Sequence, residues 1–222
     1  MMLQVKICGI TTAEARDAAI EGGAAFLGFV FFPPSPRFVE ARRFGKLAAE
    51  VPPGVATVGV FVDPAEEEIE AVLEAGRLDI LQLHGNESPG RLEALRARYA
   101  LPVMKAVRIG TRDDLAAIER FRGCCDLLLF DARPPAGARL PGGNAAAFDW
   151  RLLAGVDPGR PWFLAGGLDA GNVARAVRVT GARRVDVSSG VERRPGVKDP
   201  AKIRAFLAAV RALAEGEDEV EA

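Results

Sequence analysis

Leu127-Leu128-Leu129-Phe130-Asp131 is the stretch from which the fold can be read. Four consecutive apolar residues, too few for a helix, lie between Gly123 and a Pro- and Gly-rich segment, as in a strand buried on both faces. The strand closes on a carboxylate. Taken alone, Asp131 is an ordinary loop-opening Asp whose side chain caps free backbone N–H groups. Other strand-like segments also stop at polar or glycine-flanked residues, which gives Asp131 a second reading as one of several groups facing a shared pocket.

Working outward, strand-like and helix-like stretches alternate with little slack. Strands are expected at 3–8, 25–31, 55–62, 79–83, 102–107, 126–130, 162–165 and 184–187. Helices are expected at 12–21, 39–50, 63–74, 88–98, 111–121, 150–153, 169–179 and 200–214. Thr11 or Thr12 caps the first helix and Gly22-Gly23 stops it; Pro64 falls in the first turn of the third. Eight βα units in strict alternation call for a parallel sheet, and their compactness calls for closure. The fold class is therefore α/β, a single-domain (β/α)8 TIM barrel over residues 1–214, followed by an acidic, frayed tail at 215–222. Cys8-Gly9-Ile10-Thr11, after the first strand, lacks the glycine fingerprint of an open dinucleotide-binding sheet.

Composition narrows the function. The 222 residues suit one domain, and 49% hydrophobic content supplies a core. Lys+Arg 29 against Asp+Glu 30 gives no global attraction for nucleic acid or a membrane surface, so a ligand must be recognised locally. No apolar run approaches the roughly 20 residues of a membrane span, and no leader pattern opens the chain, so the expected compartment is the cytoplasm. Cys8, Cys124 and Cys125 are expected as free thiols, the last two as packing. Without an HxxH, HExxH or CxxC cluster, no metal is implied, nor does a Walker loop or nucleophile elbow occur. Monomer and homodimer both suit such a barrel.

In a (β/α)8 barrel the chemistry sits at the carboxyl ends of the strands. Strands seven and eight end in Gly166-Gly167 and Ser188-Ser189-Gly190, whose backbone N–H groups can approach an anion; either is weak alone, but adjacent loops at these positions form a phosphate cradle. Cys8 ends strand one beside strand eight. A lone Cys is usually a small core hydrophobe, but beside cationic groups its thiolate can act as a base, with a pKa depressed below the free value of about 8.5. Lys6 and Asp186 share the inward parity and are expected to pair inside the barrel. Arg37, in Ser35-Pro36-Arg37, is either a fork for a substrate carboxylate or a solvated loop residue. His84, the sole histidine, in Gln82-Leu83-His84-Gly85, is structural or substrate-lining.

These residues resemble the phosphoribosylanthranilate isomerases of tryptophan biosynthesis. The similarity runs through Val5-Lys6-Ile7-Cys8-Gly9-Ile10-Thr11, Ser35-Pro36-Arg37, Gln82-Leu83-His84-Gly85, Phe130-Asp131, Phe148-Asp149-Trp150, Leu164-Ala165-Gly166-Gly167-Leu168, Asp186-Val187-Ser188-Ser189-Gly190-Val191-Glu192 and Pro195-Gly196-Val197-Lys198-Asp199. The resemblance implies a cofactor-free Amadori rearrangement of N-(5-phosphoribosyl)anthranilate, with Cys8 as general base and Asp131 as general acid. Arg37, Gln82, His84 and Asp186 are expected as substrate contacts, and Gly143, Gly166, Gly167, Ser188, Ser189 and Gly190 around the phosphate. One departure is visible: the family's Gly-Gly-Thr-Gly before Phe-Asp-Trp reads Gly142-Gly143-Asn144-Ala145 here. A histidine-pathway sugar isomerase would carry an Asp where Cys8 stands, and an indole-forming synthase would carry Lys and Glu at strand ends. A non-catalytic phosphate-binding barrel would have no need for both Cys8 and Asp131.

Overall fold

The computed structural model describes residues 3–133, 142 and 148–218. Eight parallel strands close a barrel in chain order: β1 Gln4–Cys8, β2 Phe26–Val30, β3 Ala56–Phe61, β4 Ile80–Leu83, β5 Val103–Ile109, β6 Leu127–Ala132, β7 Trp162–Leu164 and β8 Arg184–Val187. Around them run α1 Ala13–Glu21, α2 Ala41–Ala48, α3 Glu66–Ala75, α4 Pro89–Tyr99, α5 Ala116–Arg120, α6 Val173–Thr180 and α7 Pro200–Asp218, with short 3₁₀ turns at Arg112–Leu115, Trp150–Leu153 and Ser189–Val191. Among the described residues no helix is long and apolar enough to cross a membrane.

Strand alternation sorts the side chains into two cores. Outward residues such as Val5, Ile7, Leu128 and Phe130 pack against the helices. Inward residues Val58, Ile80, Met104, Ala106, Leu129, Phe163 and Ala165 form an apolar plug. One step further along the strands, Cys8, Gln82 and Asp131 face inward beside Val30 and Val60, and that upper layer is where the site lies.

Several helix starts differ from the sequence expectation because backbone or side-chain hydrogen bonds hold the preceding residues outside the helix. Val39 N donates to Val30 O at 3.0 Å, extending the strand edge and delaying α2 to Ala41. Asp63 adopts φ +47° and accepts from Asn86 N at 2.8 Å, so Pro64 stays outside α3. Asp169 Oδ1 accepts from Gly171 N and Asn172 N at 2.8 and 3.0 Å, so α6 begins at Val173 rather than 169. Thr12 is the cap of α1, accepting from Ala15 N at 3.2 Å. α7 runs to Asp218, four residues past the expected end of the last helix. A small antiparallel hairpin, β9 Glu192–Arg194 with β10 Val197–Lys198, was not expected; Gly196, at φ +80°, turns it.

Candidate active site

The carboxyl ends of the strands surround a partly open cavity, the usual place for the chemistry of such a barrel. Cys8 and Asp131, the two proton-transfer candidates, both line it. So do Arg37, Gln82, His84 and Asp186, with Gly166, Gly167, Ser188 and Ser189 along one side. Gly143, with Asn144 and Ala145, lies outside the described residues.

On the β1–β8 side, Lys6 is wholly buried and its Nζ donates to Asp186 Oδ1 at 2.9 Å, the pairing expected from parity. Gly28 stands opposite Cys8 in the register of β1 and β2. A Cβ there would come within 2.9 Å of Cys8 Sγ and 3.0 Å of Lys6 Nζ, so only glycine leaves room for thiol and ammonium together. Burial opposes the Lys6 charge, but Asp186 and Cys8 outweigh it and hold the Lys6 pKa above its ordinary value. Burial also pushes the Cys8 thiol up, against the pull of Lys6 and Lys198 and with a further push from Asp186. This corrects the expected depression: desolvation exceeds the attraction of ammonium groups that are themselves paired with Asp186 and Glu192.

The neighbouring loops carry a second network. Arg37 Nε and Nη2 donate to Glu192 Oε1 and Oε2 at 2.8 and 2.9 Å, so this much of the guanidinium fork already grips an internal carboxylate. Lys198 Nζ donates to Glu192 Oε1 at 2.9 Å and to Ser188 O at 2.8 Å. Burial works against the Glu192 carboxylate, yet Arg37 and Lys198 prevail and keep its pKa below the usual range. Burial lowers the Lys198 pKa despite Glu192. Arg37 also lies across Gly9, where a Cβ would fall 2.8 Å from its Cδ. Gly166 and Gly167 have φ of +88° and +64°. A Cβ on Gly190 would collide with the carbonyl oxygen of Leu168, so the loops after β7 and β8 lie in direct contact.

Across the cavity, Asp131 shares the inward face of β6 with Leu129. Its Oδ1 accepts from Ala132 N at 2.8 Å, while Oδ2 lies 3.3 Å from His84 Nε2 without an aligned hydrogen bond. Gln82 Nε2 meets His84 Nδ1 at 3.1 Å. Gly142 passes over this pair, its missing Cβ 2.6 Å from His84 Nε2 and 2.7 Å from Asp131 Oδ2. His84 thus joins the carboxyl group rather than a separate loop.

Glu192 and Lys198 belonged to recognised motifs, but no role was assigned to them. Their link to Arg37 depends on the hairpin, which places the Gly196 turn against Pro36. Lys105 and Glu87, a buried ion pair, were also overlooked; a charged residue within Val103-Met104-Lys105-Ala106-Val107 was the available signal.

The chain matches the family model for N-(5'phosphoribosyl)anthranilate (PRA) isomerase over residues 5–209. It belongs to this family. The N-(5'-phosphoribosyl)anthranilate isomerase of Paramagnetospirillum magneticum is 56% identical over 211 residues, spanning 95% of this chain and 98% of that one. The crystal structure of phosphoribosyl anthranilate isomerase from Thermotoga maritima superposes with a TM-score of 0.86 at 36% identity, covering 95% and 100% of the two chains. Another phosphoribosyl anthranilate isomerase, in complex with reduced 1-(o-carboxyphenylamino)-1-deoxyribulose 5-phosphate, superposes at 0.83 with 35% identity and the same coverage. Against those isomerases this chain is alike over nearly its whole length, which includes both sides of the cavity.

Proposed function

We propose that the chain converts N-(5'-phosphoribosyl)anthranilate to 1-(2-carboxyphenylamino)-1-deoxyribulose 5-phosphate by acid–base Amadori rearrangement. The carrying observation is that Cys8 and Asp131 line one cavity from opposite sides, with the glycine loops after β7 and β8 along the same wall. Asp131 protonates the furanose ring oxygen and the ring opens to an iminium. The Cys8 thiolate then takes the proton from C2, and the resulting enolamine tautomerises to the aminoketone. Lys6 and Lys198 are the cations that pull toward the thiolate, against its burial.

The phosphate serves as the handle. Backbone N–H groups at Gly166, Gly167, Ser189 and Gly190 receive it, which orients the sugar over Cys8, and remote binding energy is thereby used at the reacting carbon. Val30, Val60 and Phe32 form an apolar wall beside Cys8 for the aromatic ring, and Arg37 and His84 stand at its polar edge. Operation in the cytoplasm belongs to the same reading, since a base thiol must stay reduced and all three cysteines are free.

The test is the loss of N-(5'-phosphoribosyl)anthranilate fluorescence on adding the purified chain, with the indole-forming enzyme present to remove product. The chain should quench it catalytically; fluorescence that decays no faster than without protein overturns the assignment.

A further inference from the structure

Lys105 and Glu87 form an ion pair that the reaction does not use. They are 3% and 5% exposed, with Lys105 Nζ 2.7 Å from Glu87 Oε2. Met104 and Ala106 belong to the interior plug, so alternation turns Lys105 to the outer face of β5, away from the cavity, where its ammonium lies over the Phe121 ring. Two buried charges in a helix-facing layer give up much of their attraction to desolvation, and a packed apolar pair would stabilise that layer as well. What an apolar pair could not do is hold backbone.

Holding backbone is what this pair does, most of it on either side of His84. Lys105 Nζ donates to Leu83 O at 3.3 Å and to Gly85 O at 2.9 Å, the carbonyls on either side of His84. Glu87 Oε1 accepts from Gly85 N and from Asp63 N, both at 2.9 Å, which pins the loop after β4 to the loop after β3. His84 itself is tied by its N–H to Phe61 O at 2.8 Å and by its carbonyl to Arg108 Nη2 at 3.1 Å. The backbone is thereby gripped from behind, while the ring projects forward to Gln82 and Asp131.

We propose that the Lys105–Glu87 pair is a positioning device for the acid side of the site: it sets the backbone of residues 83–85 so that the His84 imidazole stays against Asp131. The proposal rests on the reading of Asp131 as the acid. His84 does not have to exchange a proton for this; its ring fixes which way the carboxyl group faces. A displacement of about 1 Å at a reacting group can cost up to ~10²-fold in rate, so a grip of this kind acts on turnover from outside the pocket.

The double variant Glu87→Gln/Lys105→Met removes both charges together and leaves neither one buried alone. Because His84 is the only histidine, the ring signals in a ¹H–¹⁵N spectrum report it without assignment. The expected result is shifted or broadened His84 signals, kcat down roughly tenfold to a hundredfold, and KM within about twofold of the parent, as for a transition-state contact. Should the double variant fail to fold, Lys105→Arg, which keeps the charge but cannot bring one nitrogen to the same three acceptors, carries the same two readouts. Turnover at the parent level, or a fall in turnover with unmoved His84 signals, overturns the proposal. Asp131→Asn tests the underlying reading separately: if that variant keeps its rate, the acid assignment falls, whereas the His84 spectrum still reports whether the pair holds the ring.

Discussion

The two sides of the cavity are built differently. Around Cys8 stand Lys6, Asp186, Lys198, Glu192 and Arg37, all buried and joined in ion pairs. Around Asp131 the described polar partners are a backbone N–H and an imidazole, and no Lys or Arg among the described residues pairs with it. The contrast matches the two tasks. A thiolate that must take a proton from carbon needs cations close by but partly neutralised, because one stabilised too strongly is a weak base; the carboxyl group on the other side has no such cation beside it.

The contrast breaks most visibly if its two principal groups are removed. Cys8→Ser and Asp131→Asn should each lower kcat by about 10²–10⁴-fold with the melting temperature almost unchanged, measured by the fluorescence assay and calorimetry. Either variant at near-parental rate removes its residue from the chemistry.

Gly28→Ala sharpens the comparison on the base side alone. The new methyl group would press on Cys8 Sγ and Lys6 Nζ, with an overpacking cost of about 1–3 kcal/mol in urea unfolding. Thiol alkylation of Cys8 should change rate in the same variant. Unchanged alkylation kinetics would show that the thiol and ammonium are not held by that glycine.

The ion pairs also predict how stability follows pH. Glu192 and Glu87 have folded pKa values below their ordinary ones, so near neutrality the unfolded chain gains no proton and their contribution is complete. Below the ordinary Glu value of about 4.3 the unfolded chain takes up protons first, and stability falls until the folded carboxylates titrate as well. Denaturant midpoints from pH 7 to pH 3 should fall along this course, less steeply in Glu192→Gln than in the parent; parallel curves would show that Glu192 does not contribute.

The smallest effect is expected at the opposite end of the barrel. Asp126 Oδ2 accepts from Val103 N at 2.8 Å, and Asp126 N donates to Val103 O at 2.8 Å. Asp126→Ala should cost about 1 kcal/mol of stability without altering kcat or KM, because the amino-terminal face serves stability rather than chemistry.

The barrel, with a thiol and a carboxyl group at strand ends, was legible in sequence because these depend on local signals. Apolar runs of strand length, alternating with helical stretches, define a parallel sheet, and parity puts Lys6 and Asp186 on the inward face with Cys8. Helix starts were less legible where Asp169 and Asn172 fold their side chains back onto neighbouring backbone, since capping turns compete with the helix at short range, and where Asp63 reaches across to the backbone of Asn86 in the next loop. The direction of the Cys8 shift was misjudged for a related reason. It is set by how dry the thiol is and by whether nearby cations are already paired, and neither quantity is local in the chain.

From its sequence alone this chain was bound to alternate strand and helix, to close on itself, and to present a thiol and a carboxyl group at strand ends beside glycine loops. Only the tertiary structure decided that Glu192 takes up part of the Arg37 fork, that Gly28 opens the space shared by Cys8 and Lys6, and that Lys105 and Glu87 hold His84 from behind. Periodicity is written residue by residue, whereas partners 155 residues apart, such as Arg37 and Glu192, meet only when the ring closes and the hairpin turn packs against Pro36.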